Sequence, residues 1–380
     1  MEKLQKIRAE LAETVLEREE MILGLLLGLL TGQHVLLIGP PGTAKSMLVN
    51  EFGRRLAGGR AFSYLMTKFT KPDEIIGTVS LKALEDDDFR RVLTGKVADS
   101  HFVFLDEIFH ANSSCANTIL TILNERKYHN GSAIVEAPLI MLVGATNALP
   151  PEINEELKAF YDRFLFRFTV DYISDSANLR RLLELDGGGA EPTFFTLEEL
   201  GEWQAGVARV ELPAAVANKI ITLVLKLREA GIAVSDRRLR ECAPVLKAYA
   251  FLQGRSTVEA GDLRVLEHML WMRPEDRRIF KEKLYTVNLA MDKRSRELLA
   301  EALQIKNRME GMEDRLRRQA LGGEVNLRLT EIAAELRELQ EFAAAEGADQ
   351  APVAEDLAQV QHIHASIIRG CLGMAADGDY

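Results

Sequence analysis

The chain has 380 residues, long enough for two or three domains. Its 47% hydrophobic and 27% charged residues exclude a disordered polymer and fit a soluble globular protein. A net charge of −10 argues against broad nucleic-acid binding, which needs a basic face, and three scattered cysteines (Cys115, Cys242, Cys371) offer no zinc site.

The first twenty residues are charged and periodic, unlike a secretion signal, so a cytoplasmic location is expected. Met21 to Leu30 is an apolar run of ten residues, whereas a membrane span needs roughly 20, so it reads as a buried helix and no membrane span is expected. Short apolar runs then alternate with helical patterns to about residue 180, the signature of an α/β domain with a parallel sheet. The candidate strands are His34–Ile38, Ala61–Met66, Phe102–Leu105, Leu139–Gly144 and Leu165–Phe168. A helix is expected over Lys45 to Leu56, and Asn130-Gly131 reads as a hairpin turn. Glycines 187–189 mark a first boundary, and the pattern from Leu197 to about Arg273 is helical throughout.

The tail carries three apolar stripes with steps of three and four. They run from Leu298 to Leu316, from Val325 to Ala343 and from Val353 to Cys371, with Gly322-Gly323 and the stretch after Gly347 between them. This spacing predicts an antiparallel three-helix bundle. His364 lies on the third stripe and reads as a partly buried structural residue, since His362 is on another helix face and completes no chelate. The expected division is therefore an αβα core over residues 1–190, an all-α lid over 191–280 and a helical bundle over 281–380.

Three segments carry chemistry. Gly39 to Ser46 (GPPGTAKS) matches G-x-x-x-x-G-K-[ST] between a strand and a helix. Gly39 and Gly42 let the backbone curl so that the amides of Gly42, Thr43, Ala44, Lys45, Ser46 and Met47 face phosphate oxygens, with Pro40 and Pro41 in the same turn. Lys45 is the candidate for the β- and γ-phosphates of ATP, and Ser46 for Mg²⁺. Next, Phe102 to Leu105 would deliver Asp106 and Glu107 to the carboxyl edge of the sheet. Asp106 fits a metal carboxylate, and Glu107 fits the group that polarises the attacking water. The strand LIMLVGA then ends at Asn147, which would share the placement of that water.

In that order, and followed by YDRFLFRF, these motifs resemble the AAA+ superfamily and within it the MoxR-type ATPases, nearest their regulatory ATPase variant A branch. The resemblance covers roughly residues 5 to 280. It implies a P-loop αβα core with a helical lid, ATP and Mg²⁺ as ligands, and assembly into a ring, expected to be a hexamer. It implies that Arg163 is an arginine finger reaching a neighbouring subunit's γ-phosphate, with Arg167 the second candidate. The run SDRRLRE from Ser235 resembles the sensor 2 motif, with Arg237 the first choice and Arg238 its rival. Residues 69–93 resemble the family's helix insert and residues 127–137 its hairpin, both pore-facing in such rings. Two departures stand out. DEIFHA puts Phe109 and His110 where many relatives carry a polar pair, and no strand run is visible between Leu284 and Cys371, where the regulatory branch carries a small β-domain.

The function expected from this is an ATP-driven ring that remodels or activates a client, the family resemblance implying a partner with a von Willebrand factor A domain. Two alternatives stay open: a nucleic-acid-dependent motor, disfavoured by the charge, and a nucleotide-gated scaffold, disfavoured by the complete set of catalytic residues.

Overall fold

The structure, a computed structural model, describes residues 2–149, 160–184, 191–312, 315–345 and 351–368. It divides into two compact units. The first comprises Met1–Leu212, Ser235–Val258 and His268–Pro274; the second comprises Pro213–Val234, Glu259–Glu267 and Glu275–Tyr380.

The first unit opens with α1 (Glu2–Thr14) and α2 (Glu19–Thr31), then β1 (His34–Ile38) and α3 (Lys45–Arg54). Next come a two-residue strand β2 (Leu56–Ala57), β3 (Ala61–Leu65), and the short helices α4 (Pro72–Ile75) and α5 (Leu81–Glu85). Strand β4 (Phe102–Asp106) leads to α6 (Ser113–Glu125), the hairpin β5 (Lys127–Asn130) and β6 (Ala133–Glu136), and β7 (Met141–Thr146). Beyond them lie β8 (Phe164–Thr169), α7 (Ser176–Glu184), β9 (Phe195–Thr196) and α8 (Leu197–Arg209). The remaining helices are α9 (Ala214–Glu229), α10 (Asp236–Leu252), α11 (Asp276–Glu310), α12 (Arg315–Ala345) and α13 (Ala351–Ile367). Of these, α10 belongs to the first unit and α9, α11, α12 and α13 to the second.

The central sheet has the order β3-β4-β7-β1-β8, and every pairing is parallel. Parallel strands covered on both faces need continuous apolar runs. His34–Ile38 and Met141–Thr146 are accordingly buried at every position. The edge strand β3 instead alternates between half-buried and exposed positions. Helix α2 is apolar nearly all round, as a core helix is, and buries Met21 through Leu30 almost without interruption. No described helix is long and apolar enough to cross a membrane. The helix expected to reach Leu56 stops at Arg54, because Leu56 pairs with Phe195 in the β2–β9 ladder.

In the second unit, Leu298, Ala302, Met309, Leu329, Ile332, Leu336, Val360 and Ile367 form one core, as the three stripes require. Arg294 reaches Glu335 while Arg328 reaches Glu301, so α11 and α12 run in opposite directions. These ion pairs are exposed and fix register more than they stabilise. One expectation fails here. Helix α12 runs unbroken through Gly322-Gly323, where a connection was expected, and α11 spans residue 280. A helical glycine costs about 1 kcal/mol, which the packing of Val325, Leu329 and Ile332 offsets. His364 is half-buried beside the buried Ile363 and contacts Asn326 Oδ1 at 2.6 Å. No described group of acidic, His and Cys residues suits a metal ion. Glycines 187–189 and Cys371 lie outside the described residues; Cys115 and Cys242 are buried free thiols.

Candidate nucleotide site

The loop after β1 is held open by close backbone approaches. Gly39 N donates to Thr146 O at 3.0 Å, and a Cβ on Gly39 would stand 2.0 Å from Val170 O, so only glycine fits. Gly42 (φ 79°) and Ala44 (φ 62°) are left-handed. For Ala44 this conformation costs about 1–2 kcal/mol, strain of a kind that collects at functional sites. Helix α3 starts at Lys45, so its free amides and positive end face the loop.

The Lys45 ammonium is buried and donates to Gly39 O at 2.6 Å, Pro40 O at 2.7 Å and Thr43 Oγ1 at 3.3 Å. Burial pushes its pKa below the usual lysine value, while Asp106 and Glu107 pull it back up. Ser46 Oγ donates to Asp106 Oδ2 at 2.9 Å, and the other Asp106 oxygen accepts from Glu107 N at 3.0 Å. Glu107 is itself left-handed at φ 51°, which turns its carboxylate toward Asn147, whose Nδ2 donates to Glu107 Oε1. Residues 41–47, Asp106, Glu107 and Asn147 thus line one pocket, at the carboxyl ends of β1, β4 and β7. Gly39 and Pro40 form its back through the carbonyls that hold Lys45.

This donor set fits a triphosphate and a hard divalent cation. A buried ammonium rests on neutral carbonyls it can exchange for phosphate oxygens, and a hydroxyl–carboxylate pair matches an oxygen-liganded metal.

The arginines sort differently. Arg238 is buried and fully engaged, donating to Asp162 Oδ1 (3.0 Å) and to the carbonyls of Phe164 (3.0 Å), Leu165 (3.1 Å) and Met269 (2.5 Å). Arg167 is wholly buried, stacked 3.8 Å over Tyr161 and bonded to the carbonyls of Trp271 and Tyr161. Both are held by contacts within the fold, and neither lines the pocket. Asp162 pairs with Arg238 through Oδ1 at 3.0 Å.

Arg163 and Arg237 do not line the pocket. Arg163 precedes Phe164, which sits opposite His34 at the start of β1. Arg237 lies near His34 too: burial and then the charges of Arg126 and Arg237 push the His34 imidazole well down. These arginines therefore stand at the amino end of the sheet, one five-residue strand, about 16 Å, from the phosphate loop.

Sequence reading missed Glu17 and Arg18. Arg18 is buried, with Nε donating to Thr43 O at 3.2 Å and Nη2 to Asp171 O at 2.7 Å, so it braces the phosphate loop. The Glu17 carboxylate caps the chain before α7, and hydrogen bonds led by the Ser174 and Asp175 amides hold its pKa to about 2. A Glu-Arg pair before an apolar helix looks like solvated surface, and nothing local marks it. Phe109, at the position of the polar pair, packs against Tyr161 instead of facing outward.

Comparison with known proteins gives the family and the fold. Residues 2–193 match the family model described as the MoxR domain in the MoxR-vWA-beta-propeller ternary systems, and residues 215–284 match an AAA lid domain. An uncharacterised protein of Methanocaldococcus jannaschii is 39% identical over 72% of this chain and 72% of its own length. The chaperone MoxR1 of Mycobacterium tuberculosis is 32% identical over 45% of each chain. A solved structure from Cytophaga hutchinsonii, of a protein to which ATPase activity is ascribed, shares the fold. Its TM-score is 0.61 at 22% identity, covering 75% of this chain and 94% of that one. The chain belongs to the MoxR family of AAA+ ATPases.

Proposed function

We propose that this protein hydrolyses ATP in a ring of like subunits and uses the turnover to remodel or activate a client protein. The observation that carries the reading is a division of labour across the sheet. Lys45, Ser46, Asp106, Glu107 and Asn147 share one pocket, while Arg163 and Arg237 lie at the opposite sheet end of the same chain. Lys45 would bind the β- and γ-phosphates, and Glu107 with Asn147 would orient the attacking water. Ser46 and Asp106 would hold Mg²⁺, which when bound neutralises phosphate charge. Arg163 and Arg237 then reach a phosphate only from a second copy, where a finger arginine is worth about 10³ or more in rate.

The matched family description supports a partner bearing a von Willebrand factor A domain, with a β-propeller protein as third component. The lack of a spanning helix among the described residues is compatible with a cytoplasmic site. The test is turnover per chain against protein concentration. The ring reading expects a steep rise from a low floor as subunits assemble. A flat profile with full turnover at high dilution overturns it, and strong stimulation by DNA favours the nucleic-acid motor.

A further inference from the structure

Three arginines at the amino end of the sheet keep nitrogens that are buried and unpartnered: Arg126 Nη1, Arg163 Nε and Arg237 Nη1. Arg126 caps α6 in a left-handed conformation (φ 55°), with Nη2 donating to Gly32 O at 2.8 Å. Its other fork arm meets nothing. Burial, and then the charge of Arg237, pushes its pKa down to about 10. An arginine does not lose its proton at any working pH, so two cations sharing half-buried space can be relieved only by an anion. Among the described residues none supplies it. Glu241, one turn beyond Arg237, accepts from Gln33 at 2.9 Å and pairs with neither arginine.

Arg126 is also the root of the β5–β6 hairpin. Its carbonyl accepts from Ala137 N at 2.8 Å, closing the hairpin base. At the tip, Asn130 Oδ1 accepts from Arg91 N at 2.7 Å and Asn130 Nδ2 donates to Arg91 O at 3.0 Å. Ser132 Oγ donates to Asp88 Oδ2 at 3.0 Å, and a Cβ on Gly131 would stand 2.7 Å from Phe89 O. Hairpin tip and insert are thereby bolted together.

We propose that Arg126 is a third phosphate-facing arginine, meeting the nucleotide held by a neighbouring copy beside Arg163 and Arg237, and passing that nucleotide's state to the hairpin and insert. The inference rests on the ring reading above and adds a residue and a route to it. The missing anion is the terminal phosphate of a nucleoside triphosphate. Its arrival at Nη1 pulls on the residue from which the hairpin springs, and the Asn130–Arg91 clamp carries the shift to residues 88–91.

The test uses Arg126→Gln, which keeps a polar side chain but removes the charge and the fork. Turnover of the assembled variant should fall about tenfold or more, while the dilute chain binds a non-hydrolysable ATP analogue as wild type does. Mixed with Glu107→Gln chains, the variant should regain activity, because intact arginines then face intact pockets. In wild type, the analogue should slow amide exchange over residues 127–136 on assembly, and Arg126→Gln should abolish that slowing. If Arg163→Ala is rescued by mixing but Arg126→Gln turns over normally, the proposal falls and the ring reading stands. If Arg126→Gln is impaired and not rescued, Arg126 acts only as a cap within its own chain, and the proposal falls too. If neither variant is rescued, the ring reading fails and takes the proposal with it.

Discussion

Adjacent arginines with opposite fates give the sharpest check on the site geometry. Replacing Arg238 by alanine strips a buried guanidinium from Asp162 and from three carbonyls, those of Phe164, Leu165 and Met269. Phe164 and Leu165 begin β8, so their carbonyls have no water to turn to. Each such loss costs about 1 kcal/mol net, and the three buried carbonyls left without a donor bring the total to about 3 kcal/mol, the part-exposed Asp162 adding little. Replacing Arg237, half-buried and unpaired, should change stability by no more than about 0.5 kcal/mol, as surface substitutions do. Urea unfolding followed by far-ultraviolet circular dichroism, with turnover measured on the same samples, separates the two. Arg238→Ala should lower the midpoint strongly; Arg237→Ala should keep it and lose turnover on assembly. A stable Arg238→Ala protein that has lost only turnover would refute the assignment of Arg238 to structure.

Further outcomes follow from single contacts. Gly39→Ala places a methyl 2.0 Å from Val170 O, so the loop must shift and nucleotide affinity should drop at least about tenfold, measurable by calorimetry. Glu10 should make folding acid-sensitive. Burial alone would raise its pKa, but hydrogen bonds from Thr193 and Arg55 hold it to about 2, against an ordinary 4.5. A depressed carboxylate contributes stability that is full above pH 4.5 and fades as pH falls toward 2. Glu10→Gln should therefore flatten the stability profile in that window, and an unchanged slope would contradict the role. Asn130→Ala should loosen the hairpin tip from the insert, seen as faster amide exchange over residues 88–91 and 127–136, with the phosphate loop unaffected.

Much of this was legible in the residues because parallel sheets and phosphate loops demand local patterns. The runs HVLLI, FVFLD and MLVGAT read as buried strands; FVFLD ends in Asp106, MLVGAT runs directly into Asn147 and HVLLI into the phosphate loop. The pocket set from Lys45 to Asn147 could be named because each member follows a strand at the carboxyl edge. The arginines could not be sorted that way. Arg237 and Arg238 are neighbours about 100° apart around a helix, and only the packing of α10 decides which one is buried. Arg167 looked available until Tyr161 and Trp271 enclosed it. Gly322-Gly323 looked like a break, yet tertiary packing overrode the propensity. Arg18 and Arg126 bear no local mark, since the carbonyls of Thr43, Asp171 and Gly32 that place them are distant in sequence.

The central claim is that each active site is shared between two copies. Chains carrying Glu107→Gln and chains carrying Arg163→Ala should each be nearly inactive alone. Mixed in equal amounts, they should recover about one quarter of wild-type turnover, the share of head-to-tail interfaces that unite an intact pocket with intact arginines. A mixture no more active than its two components would contradict the account.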